Sequence, residues 1–300
     1  SATSPSGRCS PSFRPEGFSM KYAAKVDDNP YVLPEGNVAI AFSGGRTSAY
    51  MLHQIIKANG LDAVNSDRVV VSFQNTGREM PETLDFVQEC GDRWGVKIVW
   101  LEYRPTKPWH EIVSHNSASR NGEPFDALIA KRKMLPNVAM RFCTEELKVK
   151  TARRYCRALG WPNWTTARGI RADEAHRATP SRDKRIAHWH PLADAGATRA
   201  DVADFWAGQP FNLRLPFRDA GNPFGNCDGC FLKSEADKAA LMRHYPERAK
   251  WWAAHERKIG ATFRDGMDLT QMRDFIDRQG DWIFDTEGAL CQANDGECTG

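Results

Sequence analysis

The apolar run Val38-Ala39-Ile40-Ala41-Phe42 leads directly into Ser43-Gly44-Gly45-Arg46-Thr47-Ser48, and a helical pattern (Tyr50, Met51, Gln54, Ile55) follows. A buried strand, a loop of small residues and a helix in that order form a cradle for an oxyanion. The glycines let the backbone approach the anion with no Cβ in the way, and amide N–H groups and the helix N-terminus then point at the negative charge. Ser43 and Ser48 add hydroxyl donors, and Arg46 adds a planar cationic fork. The same turn also serves as a simple strain-relieving connection, so the loop alone leaves both readings open.

The rest of the chain alternates in the same way. Val69-Val70-Val71-Ser72-Phe73 reads as a second strand, followed by Asn75-Thr76-Gly77 and a helix opened by Pro81-Glu82-Thr83 with Leu84, Val87, Cys90 and Trp94 on one stripe. Val96 to Leu101 is a third strand, Thr165 to Ile170 a fourth and Ala187 to Pro191 a fifth. Short turns between strands and helices predict an α/β fold, a Rossmann-like doubly wound and mainly parallel sheet. Ligands of such sheets bind outside the carboxyl ends of the strands, where the Ser43 and Asn75 loops both fall. Residues 104–140 break the rhythm with Pro105, Pro108, Asn116, Asn121 and Gly122 and read as loop, apart from a short helix over Phe125 to Lys133. Glu145 to Leu159 reads as one longer helix, and Thr198 caps another through Trp206. Beyond Leu215 a Gly/Pro/Asn-rich loop carries Cys227 and Cys230, and helices follow near Glu235–His244, Pro246–Lys258 and Thr270–Arg278.

Composition narrows the class. Of 300 residues, 41% are apolar and 26% charged, as in an ordinary globular protein, and the net charge of +3 is too small to argue for nucleic acid. No apolar run approaches the roughly 18–20 residues that span a bilayer. Ser1 to Ser19 lack the apolar core of a secretory signal and read as a disordered arm ahead of Met20. The expectation is a cytoplasmic chain of three parts: the arm (1–19), a nucleotide-binding α/β domain (20–215) and a helical, cysteine-bearing C-terminal extension (216–300). Eight cysteines in a reducing compartment do not make a disulfide framework. Cys9 lies in the arm, and Cys90 and Cys156 fall within helical patterns as buried thiols.

Five segments, in chain order over roughly residues 38–235, together resemble the phosphoadenosine phosphosulfate (PAPS) reductase family of the adenine nucleotide α-hydrolase superfamily. Ser43–Ser48 is similar to the SGGxxS "PP-loop", and Asn75-Thr-Gly-Arg-Glu-Met-Pro-Glu-Thr83 to an NTGxxxPET stretch. Arg141-Phe-Cys-Thr-Glu-Glu-Leu-Lys148 resembles a C-x-x-x-x-K segment, and Gly169-Ile-Arg-Ala-Asp-Glu-Ala-His-Arg177 a GIRxDExxxR segment. Cys227-Asp-Gly-Cys230 resembles the paired cysteines of the iron–sulfur members. The resemblance implies an adenine nucleotide held by Ser43, Gly44, Gly45, Arg46, Thr47, Ser48, Asn75, Thr76, Gly77, Gly169, Arg171 and Arg177.

Departures from the pattern choose among members. Reductases acting on PAPS or adenosine phosphosulfate carry a degenerate loop, whereas this one keeps both glycines and the last serine. That resembles enzymes cleaving ATP between its α and β phosphates to adenylate an acceptor. Arg46 and Thr47 replace the commoner Lys-Asp, which removes a usual metal contact. In this scheme Arg46 and Arg171 supply positive charge at the reacting phosphates. Glu79 and Glu82 could hold Mg²⁺ against pyrophosphate, although acids at a helix start are also favoured by the helix dipole alone.

Thiolates two residues apart on a Gly-containing turn can face one metal. The expected ligands are Cys143, Cys227 and Cys230, with Cys291 as the fourth; Asp295-Gly296-Glu297 sets Cys298 apart as mobile. A [4Fe–4S] cluster is the first choice and Zn²⁺ the alternative. An open iron would hold a sulfide for transfer, as the tRNA-thiolating members of the superfamily do. The alternative reaction is sulfonucleotide reduction with Cys298 as the attacking thiolate, since Glu297-Cys298-Thr299 partly echoes the reductases' Glu-Cys-Gly ending. A third reading is a nucleotide-binding subunit without turnover. Arg168, Arg171, Arg177, Arg182, Lys184 and Arg185 crowd one stretch that suits phosphate or sulfate, or else forms a solvated charged loop balanced by Asp173, Glu174 and Asp183. A nucleic-acid acceptor and a sulfur-donor or reductant protein are partners this arrangement permits; the oligomeric state is open.

Overall fold

In the computed structural model, residues 29–216, 223–266 and 268–279 are described. Six strands form one sheet: β1 (Val38–Ala41), β2 (Val69–Asn75), β3 (Ile98–Tyr103), β4 (His110–Val113), β5 (Trp164–Ala167) and β6 (Ile186–Trp189), in the spatial order β4-β3-β2-β1-β5-β6. All neighbours are parallel except β3 and β4, which pair antiparallel with Trp100 opposite Val113 and Tyr103 opposite His110. The fold is α/β with a mainly parallel sheet, as the alternation predicts.

The helices are α1 (Arg46–Asn59), α2 (Leu61–Val64), α3 (Pro81–Trp94), α4 (Glu123–Arg132), α5 (Thr151–Ala158), α6 (Pro191–Asp194), α7 (Arg199–Ala207), α8 (Glu235–His244), α9 (Pro246–Ile259) and α10 (Leu269–Gln279). Side chains on a strand alternate between faces, so each strand serves two cores. Val38, Ile40, Val71 and Phe73 pack with Met51, Leu52 and Ile55 of α1 and Leu84 and Val87 of α3. Ala39 and Val70 face the other way and pack with Cys156 of α5, Trp161, Trp164 and Ile186. With both faces covered, the strands must be apolar along their length, which is why they read as continuous Val/Ile runs.

From β1 the chain winds outward through β2 and β3, then returns to build β5 and β6 on the other side of β1. The reversal lies between β1 and β5, and an open sheet of this kind binds ligands in the crevice at that point. The loops after β1, β2 and β5 all open there.

Two local features differ from the sequence reading. The stretch expected to be loop contains β4, an edge strand whose Ile112 is 59% exposed. A two-sided apolar pattern is absent because an edge strand is half solvated. The expected helix from Glu145 divides: Thr144–Lys150 is π-helical and only Thr151–Ala158 is α-helical. The wide π turn brings Glu146 onto Arg132 (2.8 Å), Lys150 (3.0 Å) and Arg154 (3.1 Å), and lets the Thr151 hydroxyl donate to the Glu146 carbonyl at 2.8 Å.

The C-terminal helices share the core of the sheet domain. Trp252 of α9 is 1% exposed and packs edge-on to Phe125 of α4, with ring centroids 5.5 Å apart. Ser234 and Asp237 close a capping box at the start of α8, as Thr198 and Asp201 do for α7.

Candidate functional site

The cradle after β1 is locked from within. The Ser43 amide and hydroxyl meet the Ser48 hydroxyl at 3.2 and 2.9 Å, and Ser48 also donates to the Gly45 carbonyl at 3.0 Å. Gly44 sits at φ +81°, and a Cβ there would come within 3.0 Å of Thr83 and Val87 and 3.1 Å of Phe73. Only glycine satisfies both the left-handed backbone and the contact with α3. Thr47 and Ser48 are buried in the first turn of α1. Arg46 turns toward the segment after α7: its Nε donates to Asn212 at 2.9 Å and its carbonyl accepts from Trp206 Nε1 at 2.9 Å.

The loop after β5 closes against the cradle from the other side of the crevice. A Cβ on Gly169 would lie 3.4 Å from Ser48 Cα. Two residues on, Arg171 is 8% exposed; it donates to the Thr47 hydroxyl at 3.1 Å and to Asp173 at 2.9 Å. Arg177 pairs with Glu174 in the same 3-10 turn, Ala172–Arg177. Thus Ser43, Gly44, Gly45, Arg46, Thr47, Ser48, Gly169 and Arg171 lie around one crevice.

The loop after β2 has a different part. Asn75 is fully buried; its amide donates to Glu102 (2.7 Å) and to the Ser119 carbonyl (2.8 Å) and accepts from Gly77 N (3.1 Å). Glu102 is buried too and takes Ser119 N and Oγ at 2.7 and 2.8 Å. Asn75 therefore shapes the loop rather than presenting its amide to solvent. Gly77 (φ +78°) crosses the backbone of Gly122 so closely that a Cβ would lie 3.0 Å from Gly122 Cα. The Thr76 hydroxyl faces the Glu79 carboxylate (2.9 Å) and Cys227 Sγ (3.3 Å). Glu79, 2% exposed, lies 4.0 Å from Lys148 Nζ and accepts the Thr76 amide at 2.9 Å. These bonds occupy the carboxylate. Glu82 instead has a buried Oε2 without a hydrogen-bond partner.

Cys227 is thereby tied to the loop after β2. Cys143, just ahead of the π-helical segment, lies close enough for its charge to act on Cys227, and Cys227 senses Cys230 across the turn. Burial first, and then the neighbouring thiol, push Cys143 up to about 12. Burial first, and then Glu79, do the same to Cys227, also to about 12. Three soft donors with Lys148 beside them are the donor chemistry of an iron–sulfur or zinc centre. Among the described residues, however, no group of three or more Cys, His, Asp or Glu side chains is placed so that it could hold a metal ion, Cys143, Cys227 and Cys230 included. Cys9, Cys291 and Cys298 lie outside the described residues.

The sequence reading passed over the first of the two residues between the paired cysteines. Asp228, fully buried, accepts from Arg78 at 2.7 Å, from Trp252 Nε1 at 2.7 Å and from Arg248. An acid inside a C-x-x-C turn is the signal that could have found it, because an enclosed carboxylate demands cations.

With this geometry in view, comparison with known proteins is decisive for the family. Residues 37–194, more than half of the chain, match the phosphoadenosine phosphosulfate reductase domain. The chain belongs to the PAPS reductase family. Within the curated proteins, this family member is 32% identical over 210 residues to an uncharacterised nin-region protein of Escherichia phage lambda, covering 65% of this chain and 66% of the relative. It is 27% identical over 177 residues to an uncharacterised protein of Methanocaldococcus jannaschii, covering 55% of this chain and 32% of that one. The chain thus spans about two thirds of one relative and about one third of the other.

Among solved structures, similarity is found to a PAPS reductase from Candida auris in its phosphate complex (20% identity, 62% of this chain and 81% of that one, TM-score 0.39). It is found also to the U34-tRNA thiolase NcsA of Methanococcus maripaludis with its [4Fe–4S] cluster (15% identity, 82% of each chain, TM-score 0.36). Likenesses at this level decide neither the reaction nor the substrate of this PAPS reductase family member. Among the described residues no helix is long and apolar enough to cross a membrane.

Proposed function

We propose that this chain binds ATP, with Mg²⁺, at the Ser43–Ser48 cradle and cleaves it between the α and β phosphates to adenylate an acceptor. The observation that carries the reading is the intact cradle: Ser43 and Ser48 bonded to each other at 2.9 Å, Gly44 at φ +81°, and Arg171 locked onto Thr47 at 3.1 Å. In the reaction an acceptor nucleophile attacks the α phosphorus, the bond from that phosphorus to the bridging oxygen breaks, and pyrophosphate leaves with the electron pair. Backbone amides of residues 44–48 hold the phosphate oxygens, and Arg171 neutralises charge that grows on them in the transition state. Thr47 and Asp173 hold the Arg171 fork in place, so it needs no rearrangement as that charge develops.

The donor chemistry suits Cys143, Cys227 and Cys230 to holding a [4Fe–4S] cluster, with Zn²⁺ as the alternative; a bound cluster would supply sulfide or electrons near the activated acceptor. The Thr76 hydroxyl, 3.3 Å from Cys227, joins that thiol to the loop after β2. The acceptor class proposed is a nucleic acid, which the basic 131–133 and 168–185 stretches permit without demanding, since Arg171, Arg177 and Arg185 pair with Asp173, Glu174 and Asp183. A cytoplasmic setting suits such thiols, which form no disulfide among the described residues.

The test is pyrophosphate release from Mg·ATP by anaerobically purified protein supplied with bulk RNA or DNA. Release that depends on the nucleic acid and is lost in Ser48→Ala supports the reading. Sulfite release from PAPS in place of pyrophosphate release would replace it with reduction, and tight ATP binding without turnover in any arm would leave a binding subunit.

A further inference from the structure

The segment that follows α7 alternates in burial: Phe211, Leu213 and Leu215 are buried, Asn212 is half-buried and Arg214 is exposed. The three apolar side chains anchor the segment and leave Asn212 off the core. Phe211 meets the rings of Trp206 and Trp94 edge-on, with centroids 5.4 and 5.8 Å apart, and Arg93 lies over its face at 4.9 Å. Close packing of this kind leaves the main chain little freedom, so the core decides what Asn212 touches.

It touches the cradle. Asn212 Oδ1 accepts from Arg46 Nε at 2.9 Å, and the Leu213 amide donates to the same oxygen at 2.8 Å. Both donors are N–H groups, so only the oxygen of the Asn212 amide fits between them. Arg46 Nη2 donates to the Leu213 carbonyl at 3.5 Å. Nε and Nη2 share one edge of the guanidinium, and two acceptors along that edge fix its plane. Trp206 Nε1 holds the Arg46 carbonyl at 2.9 Å, so backbone and side chain of this residue are tied to the same wall. Arg46 opens α1 directly behind Gly44 and Gly45.

An arginine with no fixed contacts samples many rotamers, and an anion that captures it bears the entropy of ordering it. The amide and carbonyl oxygens order Arg46 beforehand. Being neutral, they leave its positive charge in place, whereas a carboxylate at position 212 would offset it. We infer that Asn212 is a positioning residue, which through Arg46 strengthens the cradle's hold on the polyphosphate tail of the nucleotide. The inference rests on the ATP reading above and adds a residue 166 positions from Arg46 in the chain.

The test is a double-mutant cycle on the full chain, read by equilibrium binding of ATP and of AMP in the presence of Mg²⁺. Asn212→Ala should weaken ATP binding about tenfold, while affinity for AMP, which lacks the tail, changes less than about twofold. In an Arg46→Ala background the same substitution should have no further effect on ATP, because its influence runs through Arg46. Equal losses for ATP and AMP, or the full loss repeated in Arg46→Ala, would make Asn212 a support of the fold and overturn the inference. Wild-type ATP affinity in Asn212→Ala would overturn it too, and would leave the nucleotide reading standing. A wild-type chain that binds neither nucleotide would remove the cradle reading itself, and this role with it.

Discussion

Arg78 and Asp228 meet at 2.7 Å with side chains 3% and 0% exposed, and so join the loop after β2 to the turn carrying Cys227 and Cys230. Arg248 and Trp252 complete the shell around the same carboxylate. Removing one partner of an enclosed pair strands the other charge, at a cost of about 3–5 kcal/mol. Asp228→Ala is therefore expected to lower stability by about that amount in denaturant unfolding, whereas exposed pairs such as Lys250–Glu247 contribute about 0–1 kcal/mol. A loss below about 1 kcal/mol in Asp228→Ala would show that the pair does not hold the two loops together.

Gly44→Ala places a methyl against Thr83, Val87 and Phe73 at a left-handed backbone position. The cradle must shift away from α3, so ATP affinity should fall tenfold or more while the circular dichroism spectrum stays close to wild type. Equilibrium binding of ATP to the two proteins checks this. Unchanged affinity would remove the cradle from the nucleotide site.

Acid should weaken the fold through His190. Burial first, then Arg168 and His188, hold its pKa down from 6.5 to about 4. An unfolded chain takes up this proton near pH 6.5 and the folded one only near 4. Stability from this group is thus complete above about pH 6.5 and is lost as pH falls toward 4. Urea unfolding between pH 7.5 and 4.5, in buffer without phosphate or sulfate, should show a shallower decline in His190→Gln than in wild type. Identical slopes would place the acid sensitivity in other groups, such as His188 and His53, whose pKa values are also lowered, in both cases chiefly by burial.

Iron and acid-labile sulfide, measured on anaerobically purified protein, should fall to background in Cys143→Ser, Cys227→Ser and Cys230→Ser, with Cys90→Ser and Cys156→Ser retaining wild-type content. Cys90 and Cys156 are packed inside the two cores, apart from the crevice. Stoichiometric zinc without iron would retain the ligands and retire sulfur transfer; full iron in all three variants would retire the ligands.

Much of this arrangement was legible in the chain because the parallel strands are apolar along their length and each loop after them has its own residue signature. Thr198 announced its helix through capping chemistry that is local in sequence. The edge strand β4 was hidden, since half its surface meets water and prolines precede it. The π turn at Thr144 was hidden as well: a periodicity of apolar residues cannot report a one-residue widening that serves Glu146 and its cations. Asn75 read as a nucleotide contact because its burial against Glu102 and Ser119 joins residues 27 and 44 positions away.

The crossing of Gly77 and Gly122 makes two distant codons into a single unit of mutational tolerance. A methyl gained at Gly77 runs into the Gly122 main chain and prises the β2 loop away from the start of α4, whereas one gained at Gly122 runs into Trp251 and Arg78. A library randomised at both sites and screened for folded protein should return the glycine pair, with neither site drifting alone.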